Sequence, residues 1–227
     1  MIIAIDGPSG AGKSTLGKLL AKKLGFLYLD TGAMYRAVGF AVLEKGISLT
    51  DVAAIARIAE DCEIRLVGEP EHLQIFLNGR DVTDEIRTNE VGNAASIVST
   101  ISEVRRILVE HQRELGLTSA HGAVLDGRDI GSVVFPNADI KFFLTAAAEA
   151  RARRRYDEDL EKGRAVSHEH TLDEILERDK RDSTRLDSPL VIAHDAITID
   201  TSNLGLNEVF ERMIAIVETT AKTTANG

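Results

Sequence analysis

Ile2-Ile3-Ala4-Ile5-Asp6-Gly7-Pro8-Ser9-Gly10-Ala11-Gly12-Lys13-Ser14-Thr15-Leu16 is the stretch that decides the fold. Its continuous apolar start reads as a strand covered on both faces. Gly7–Ser14 then matches G-x-x-x-x-G-K-[ST]. After it, Leu16, Leu19, Leu20 and Leu24 form the apolar stripe of a helix over Lys13–Leu24, with Gly25 as its stop. Strand, glycine loop and helix in that order are the context that gives this motif its meaning. Glycines let backbone N–H groups converge on phosphate oxygens, and the helix N-terminus adds positive dipole there. Gly7, Pro8, Ser9, Gly10, Ala11, Gly12, Lys13, Ser14 and Thr15 are therefore the candidate ATP-binding residues. Lys13 is expected to reach the β- and γ-phosphates and Ser14 the accompanying Mg²⁺. A glycine turn that merely starts a helix leaves Lys13 unexplained.

Working outward, the apolar runs Phe26–Leu29, Ala123–Leu125, Ile140–Leu144 and Ala196–Ile199 read as four further strands. Helical patterns lie between and after them, over Tyr35–Leu43 and about 207–220, with a frayed tail after Glu218. Strands alternating with helices predict an α/β fold with a five-stranded parallel sheet flanked by helices. Two segments break the rhythm. Glu63–Val67 and Leu73–Leu77 alternate, and Asn78-Gly79 is a hairpin signal, so residues about 58–97 are expected to hold a small antiparallel insert. Glu149–Arg164 is a highly charged helix, expected as a mobile surface element outside the core. The domain expectation is a core of residues 1–30, 98–145 and 165–227, a second region over 31–97, and a short element over 146–164.

The 227 residues, 44% of them hydrophobic, suffice for a self-standing core. Aromatics are only 4% with no Trp, which disfavours stacking on single-stranded nucleic acid. A net charge of −9 argues against nucleic-acid polymers and anionic membranes, so an anionic substrate must meet a local cluster of positive charge. Cys62 is the single cysteine and suits a reducing compartment. The chain start lacks the basic, long apolar pattern of a signal peptide, and no run is long enough to span a membrane. A cytoplasmic protein is expected, and nothing in the sequence demands more than a monomer.

Many chemistries share the phosphate loop, so other motifs decide among them. No Asn-Lys pair is present to read guanine, and no Asp-x-x-Gly to sense a γ-phosphate, which leaves a small kinase. An acceptor that is itself a phosphate is already a nucleophile near neutrality and needs cationic clamps rather than a base. Such clamps occur in Asp30–Arg36, in Asp126-Gly127-Arg128-Asp129 after the third strand, and at Arg178, Arg181 and Arg185 on one helical face. Any one of these arginines alone reads most simply as a surface salt bridge, and Arg178 with Asp182 has that i, i+4 spacing. Three clusters at one sheet edge favour a site. The histidines form no catalytic or zinc-like arrangement.

With these motifs in place, the chain resembles the bacterial cytidylate kinases, a branch of the nucleoside monophosphate kinases. The likeness runs from Ile3 to about Thr201. It rests on Gly7–Thr15, Leu29–Arg36, Glu85-Ile86-Arg87-Thr88 with Asn93-Ala94-Ala95-Ser96, Asp126–Gly131 and Arg178–Asp182. The resemblance implies a P-loop NTPase fold with a monophosphate-binding insert and a short lid over 146–164. It also implies transfer of the γ-phosphoryl group of ATP·Mg²⁺ to CMP or dCMP in pyrimidine nucleotide metabolism. By the same resemblance, Arg36, Arg128 and Arg185 clamp the acceptor phosphate, and Ser96, Arg105 and Asp129 read cytosine. Arg178 and Asp182 hold the ribose, and Arg151 and Arg154 are lid residues near the transferring phosphoryl. Thr31 (where many relatives have Ser), Tyr35, Asp126 and Arg181 complete the expected substrate group. The expected catalytic set is Lys13, Arg128, Arg151, Arg154 and Arg185, while Arg153, Arg155 and Lys162 are expected only to solvate the lid helix. Two rivals stay open: a kinase for another small acceptor, and an ATP-binding regulator without transfer. A regulator has no need of Arg36, Arg128 and Arg185.

Overall fold

The computed structural model describes residues 1–161 and 163–225. In chain order its elements are β1 (Ile2–Asp6), α1 (Lys13–Leu24), β2 (Leu27–Asp30), α2 (Thr31–Glu44), α3 (Val52–Asp61), β3 (Ile64–Val67), β4 (Gln74–Leu77), β5 (Arg80–Asp81), α4 (Asn89–Val98), α5 (Ser102–Thr118), β6 (Ala123–Gly127), β7 (Ile140–Thr145), α6 (Ala148–Glu161), α7 (His168–Thr184), β8 (Ile197–Asp200) and α8 (Leu206–Ala225). Five strands form one all-parallel sheet in the order β2-β6-β1-β7-β8. The strand that leads into the glycine loop is thus the central one. Its side chains alternate between two apolar layers. Ile3 and Ile5 join Leu16 and Leu20 of α1 and Val209 and Met213 of α8, whereas Ala4 packs with Leu29, Leu125 and Val109 of α5. Burial on both faces is why the strand reads as an unbroken apolar run; truncating Ile5 to Ala would cost about 2–5 kcal/mol.

Parallel register brings the strand ends to one edge, where Asp6 stands beside Gly127 and Asp30 pairs with Asp126. The helices that start there are fixed locally. Asp30 caps α2 by accepting from the Ala33 N–H at 2.9 Å, and Gly25 closes α1 in the left-handed region. Against α2 lies α4, close enough that a Cβ on Gly39 would stand 2.9 Å from the Ala95 nitrogen.

The insert is a three-stranded antiparallel sheet, β3-β4-β5, turned through Asn78 and Gly79 with φ of 51° and 81°. The sheet fills only 64–81 of the expected 58–97; α3 precedes it and α4 follows. Helix α8 continues through Ala225 rather than fraying after Glu218. Charged helix α6 is the main departure from expectation. It packs along α7 and buries Arg151, Ala152 and Asp159. Arg151, Arg155 and Asp159 recur at i, i+4 and i+8, so they form one ionic seam toward Asp179 and Glu174 of α7. Lys162 lies outside the described residues. Among the described residues no helix is long and apolar enough to cross a membrane.

Candidate active site

A cleft of about 620 Å³ opens at the carboxyl edge of the sheet. Ten of its lining residues are Lys or Arg and six are Asp or Glu, an excess of four positive charges on a chain of net charge −9. The phosphate loop forms one wall. Gly7 is forced by its neighbours, since a Cβ there would meet the Leu144 carbonyl oxygen at 1.9 Å. Gly10 and Gly12 hold φ of 78° and 89°, left-handed values that favour glycine. Lys13 opens α1 and donates its Nζ to the Pro8 carbonyl at 2.7 Å. Burial, reinforced by the Arg128 charge, lowers its pKa well below that of an ordinary lysine. Residues Ser9 to Thr15 line the cleft, whereas Gly7 and Pro8, expected to bind the same ligand, do not.

Ser14 and Asp126 meet beneath the loop. Ser14 Oγ donates to Asp126 Oδ2 at 2.8 Å and the Tyr28 hydroxyl to Oδ1 at 2.7 Å. Burial, then the Asp30 charge, pushes the Asp126 carboxyl up to about 6. A buried carboxylate short of positive charge beside a hydroxyl is a hard oxygen pair that suits Mg²⁺. No cluster of three His, Cys, Asp or Glu exists among the described residues, and Mg²⁺ bound with nucleotide phosphates needs only one or two protein oxygens. Ser14 and Asp126 are thus the residues that could hold such a cation. Thr31 ties in from α2, its hydroxyl donating to the Asp126 carbonyl at 2.7 Å.

The opposite wall is basic. Arg128 Nε donates to Asp182 at 2.7 Å, so the partner of Arg128 is Asp182 on α7 and not its neighbour Asp129. Burial opposes the Asp182 charge, but Arg128 and Arg178 together hold its carboxyl below the usual range. Asp129 pairs instead with Arg105, and its second oxygen stands 3.8 Å from Arg185. Arg36 is propped by the Ile86 and Thr88 carbonyls at 2.8 and 3.2 Å. Burial, then Arg87, lowers its pKa to about 10, and burial, then Arg128, lowers that of Arg178 to about 9. Arg185 is lowered too, by burial and then by Arg105. Tyr35 Oη, Ser96 Oγ, Arg105 Nε, Arg178 Nε and Arg185 Nη2 are all buried without a hydrogen-bond partner. Under-neutralised guanidiniums with spare donors are what an anionic, polar ligand would satisfy.

Most of the expected site residues converge; besides Gly7 and Pro8, three do not line the cleft. Arg151 turns behind the phosphate loop instead of into the cleft, because Asp179 on α7 draws its guanidinium there. Arg181 ties α7 to α4 through Asn93 at 3.0 Å and does not line the cleft. Ser96 lies just behind the lining residues Ala95 and Ser99. Arg154 does face the cleft, held by the Thr201 hydroxyl at 3.1 Å. Arg155, expected only to solvate the lid helix, lines the cleft instead, as do Arg164 and Arg87, to which sequence reasoning assigns no role. Arg155 reaches Asn89 across the mouth at 3.1 Å and Arg87 pairs with Asp30 at 3.0 Å. Asp6 is a further omission: it accepts from the N–H groups of Ile130 and Gly131 at 2.8 and 2.7 Å, fixing the turn that carries Arg128 and Asp129. For Arg155 the readable signal is its place in the i, i+4 seam, and for Arg87 its place in the Glu85–Thr88 motif; for Arg164 there is none.

Comparison with known proteins adds to this geometry. The family model for cytidylate kinase matches residues 3–219. A cytidylate kinase of Carboxydothermus hydrogenoformans is 51% identical over 96% of this chain and 97% of its own. One from Bacillus subtilis is 46% identical, over 95% of this chain and 96% of its own. Among solved structures, an uncharacterized protein from Eubacterium ventriosum superposes with a TM-score of 0.56 at 12% identity, covering 96% of this chain and 98% of its own, and shares the fold.

Proposed function

The chain belongs to the cytidylate kinase family, and from that premise we propose that its cleft passes the γ-phosphoryl group of ATP·Mg²⁺ to CMP, and to dCMP as a second acceptor, leaving ADP. The observation that carries the reading is the excess of positive charge in the cleft, which beyond Lys13 of the phosphate loop includes the buried or half-buried Arg36, Arg128, Arg178 and Arg185. One nucleotide's phosphates fill the loop; a second phosphate would satisfy the remaining arginines.

On this reading the backbone of Gly10–Ser14 and Lys13 Nζ orient the donor phosphates, Lys13 leaving Pro8 for them. Ser14 and Asp126 would hold Mg²⁺, which when bound neutralises charge on the β- and γ-phosphates. Arg36, Arg128 and Arg185 fix the acceptor phosphate in line, so that its own oxygen attacks and no side chain has to remove a proton. Arg105 and Asp129, with Ser96 behind them, read the cytosine edge; Arg178 and Asp182 orient the ribose. Arg154 and Arg155 are the α6 residues facing the transferring group. The segment 146–164 serves as lid, excluding the water that competes as acceptor. One chain supplies both the loop and the arginine cluster, which supports a monomer as working unit, and the lone thiol of Cys62 suits the cytoplasm. The test is initial-rate ADP release with CMP, dCMP, UMP, AMP and GMP. CMP is expected to lead; release independent of acceptor would favour a nucleotide-binding regulator with slow hydrolysis, and preference for a purine would overturn the acceptor assignment.

A further inference from the structure

Arg151 is the arginine whose placement departs furthest from expectation, and its bonding says what it does. Its Nε donates to the Ala146 carbonyl at 2.8 Å. Nη1 donates to the Ser9 carbonyl at 3.2 Å and to Asp179 Oδ1 at 3.1 Å, and Nη2 donates to Asp179 Oδ2 at 2.7 Å. A guanidinium has five N–H donors. Four are committed to protein acceptors here, so no free fork remains for a phosphate. The side chain is 5% exposed. It also abuts the loop sterically: a Cβ on Gly10 would stand 3.1 Å from the Arg151 Cβ.

We infer that Arg151 and Asp179 are a positioning pair for the phosphate loop. Arg151 stands in the first turn of α6 and Asp179 in the C-terminal half of α7, so one bidentate ion pair joins the start of α6 to α7, and through the Ser9 carbonyl fastens them to the donor loop. Neither residue touches the transferring phosphoryl. The pair sets the carbonyl orientation of Ser9 and hence the directions of the N–H groups that follow it, on which donor affinity depends. Asp179 does this through Arg151, because bidentate geometry fixes the guanidinium plane that presents Nη1 to the loop. The inference rests on the kinase reading only in taking the loop to bind ATP.

The experiment compares Arg151→Ala, Asp179→Asn and the double variant by calorimetric titration with ATP·Mg²⁺ without acceptor, and by kinetics with ATP and CMP varied separately. Each single change is expected to weaken ATP binding about tenfold while the KM for CMP stays within about twofold, and the double variant should be no weaker than Arg151→Ala alone. Asp179→Glu, which restores a carboxylate, should recover most of the loss. Should Arg151→Ala not fold, Asp179→Asn against Asp179→Glu carries the same comparison. A kcat loss of over about a thousandfold for Arg151→Ala beside an unaffected Asp179→Asn would make Arg151 a phosphoryl ligand and overturn the inference. Additive losses, or unchanged ATP binding in both single variants, would overturn it as well. ATP titration needs no acceptor, so a wild-type enzyme that binds ATP but fails to phosphorylate CMP would count against the acceptor reading alone.

Discussion

Asp129→Asn separates base reading from phosphate clamping. Asp129 is buried in the cleft wall with one oxygen on Arg105 and the other 3.8 Å from Arg185, while Arg128, the proposed phosphate clamp, is held by Asp182 instead. In the proposed pose the cytosine N4 amino group donates to the carboxylate, whereas uracil would turn its O4 acceptor toward it. Two acceptors facing each other in a desolvated pocket cost about 1–3 kcal/mol. That is about 5- to 150-fold in the ratio of kcat/KM for CMP over UMP. Asparagine keeps an oxygen for Arg105 and turns an N–H₂ toward the base, so uracil gains a donor as cytosine loses an acceptor. The ratio should fall by about one to two decades. The companion variant Asp129→Ala controls for folding, because it leaves Arg105, 4% exposed, without its carboxylate and should cost about 3–5 kcal/mol in denaturant unfolding. The assay is coupled ADP release at subsaturating CMP and UMP. Equal weakening of both substrates by Asp129→Asn would refute the reasoning and leave Asp129 as support for the arginines.

Lys13→Ala should lower kcat by at least about a hundredfold with a melting temperature no lower than wild type, since it removes a cation already penalised by burial; near-normal turnover would contradict the loop assignment. The Asp126 carboxyl, pushed up to about 6, holds its proton more tightly in the folded chain than in the unfolded one, so its contribution to nucleotide-free stability falls as pH rises from about 4 to about 6 and then levels. Asp126→Asn removes that term, and its denaturant midpoint should gain on wild type across this window; a gap independent of pH would contradict the assignment. Gly39→Ala should cost about 1–3 kcal/mol of unfolding free energy by forcing α2 and α4 apart, and an unchanged midpoint would show that the contact yields freely.

What could be read in advance follows the range of the forces involved. The phosphate loop is local: glycines, lysine and hydroxyl sit in consecutive positions, so the pattern survives in one dimension, and the Lys13–Leu24 helix follows with the expected bounds. The central strands are legible because burial on both faces leaves no polar alternation. The convergence of Arg36, Arg128 and Arg185 was within reach because parallel strands bring their ends to one edge. Ion pairing between distant elements was not. Nothing near Arg151 in sequence indicates that Asp179 will draw it behind the loop, and nothing near Arg128 indicates Asp182 instead of Asp129. A helix as charged as α6 reads as solvated unless its i, i+4 seam is matched against the next helix, which is why Arg155 reads as a solvating charge although it pairs with Glu174.

The most direct measurement follows the transferred group itself. Enzyme, Mg²⁺, CMP and ATP labelled in the γ-phosphate are mixed, and the products are separated before equilibrium. The account predicts label in the β-phosphate of CDP, formed in step with ADP, with inorganic phosphate rising only slowly. Label appearing chiefly as inorganic phosphate whether or not CMP is present, or in another monophosphate offered at the same concentration, would contradict it.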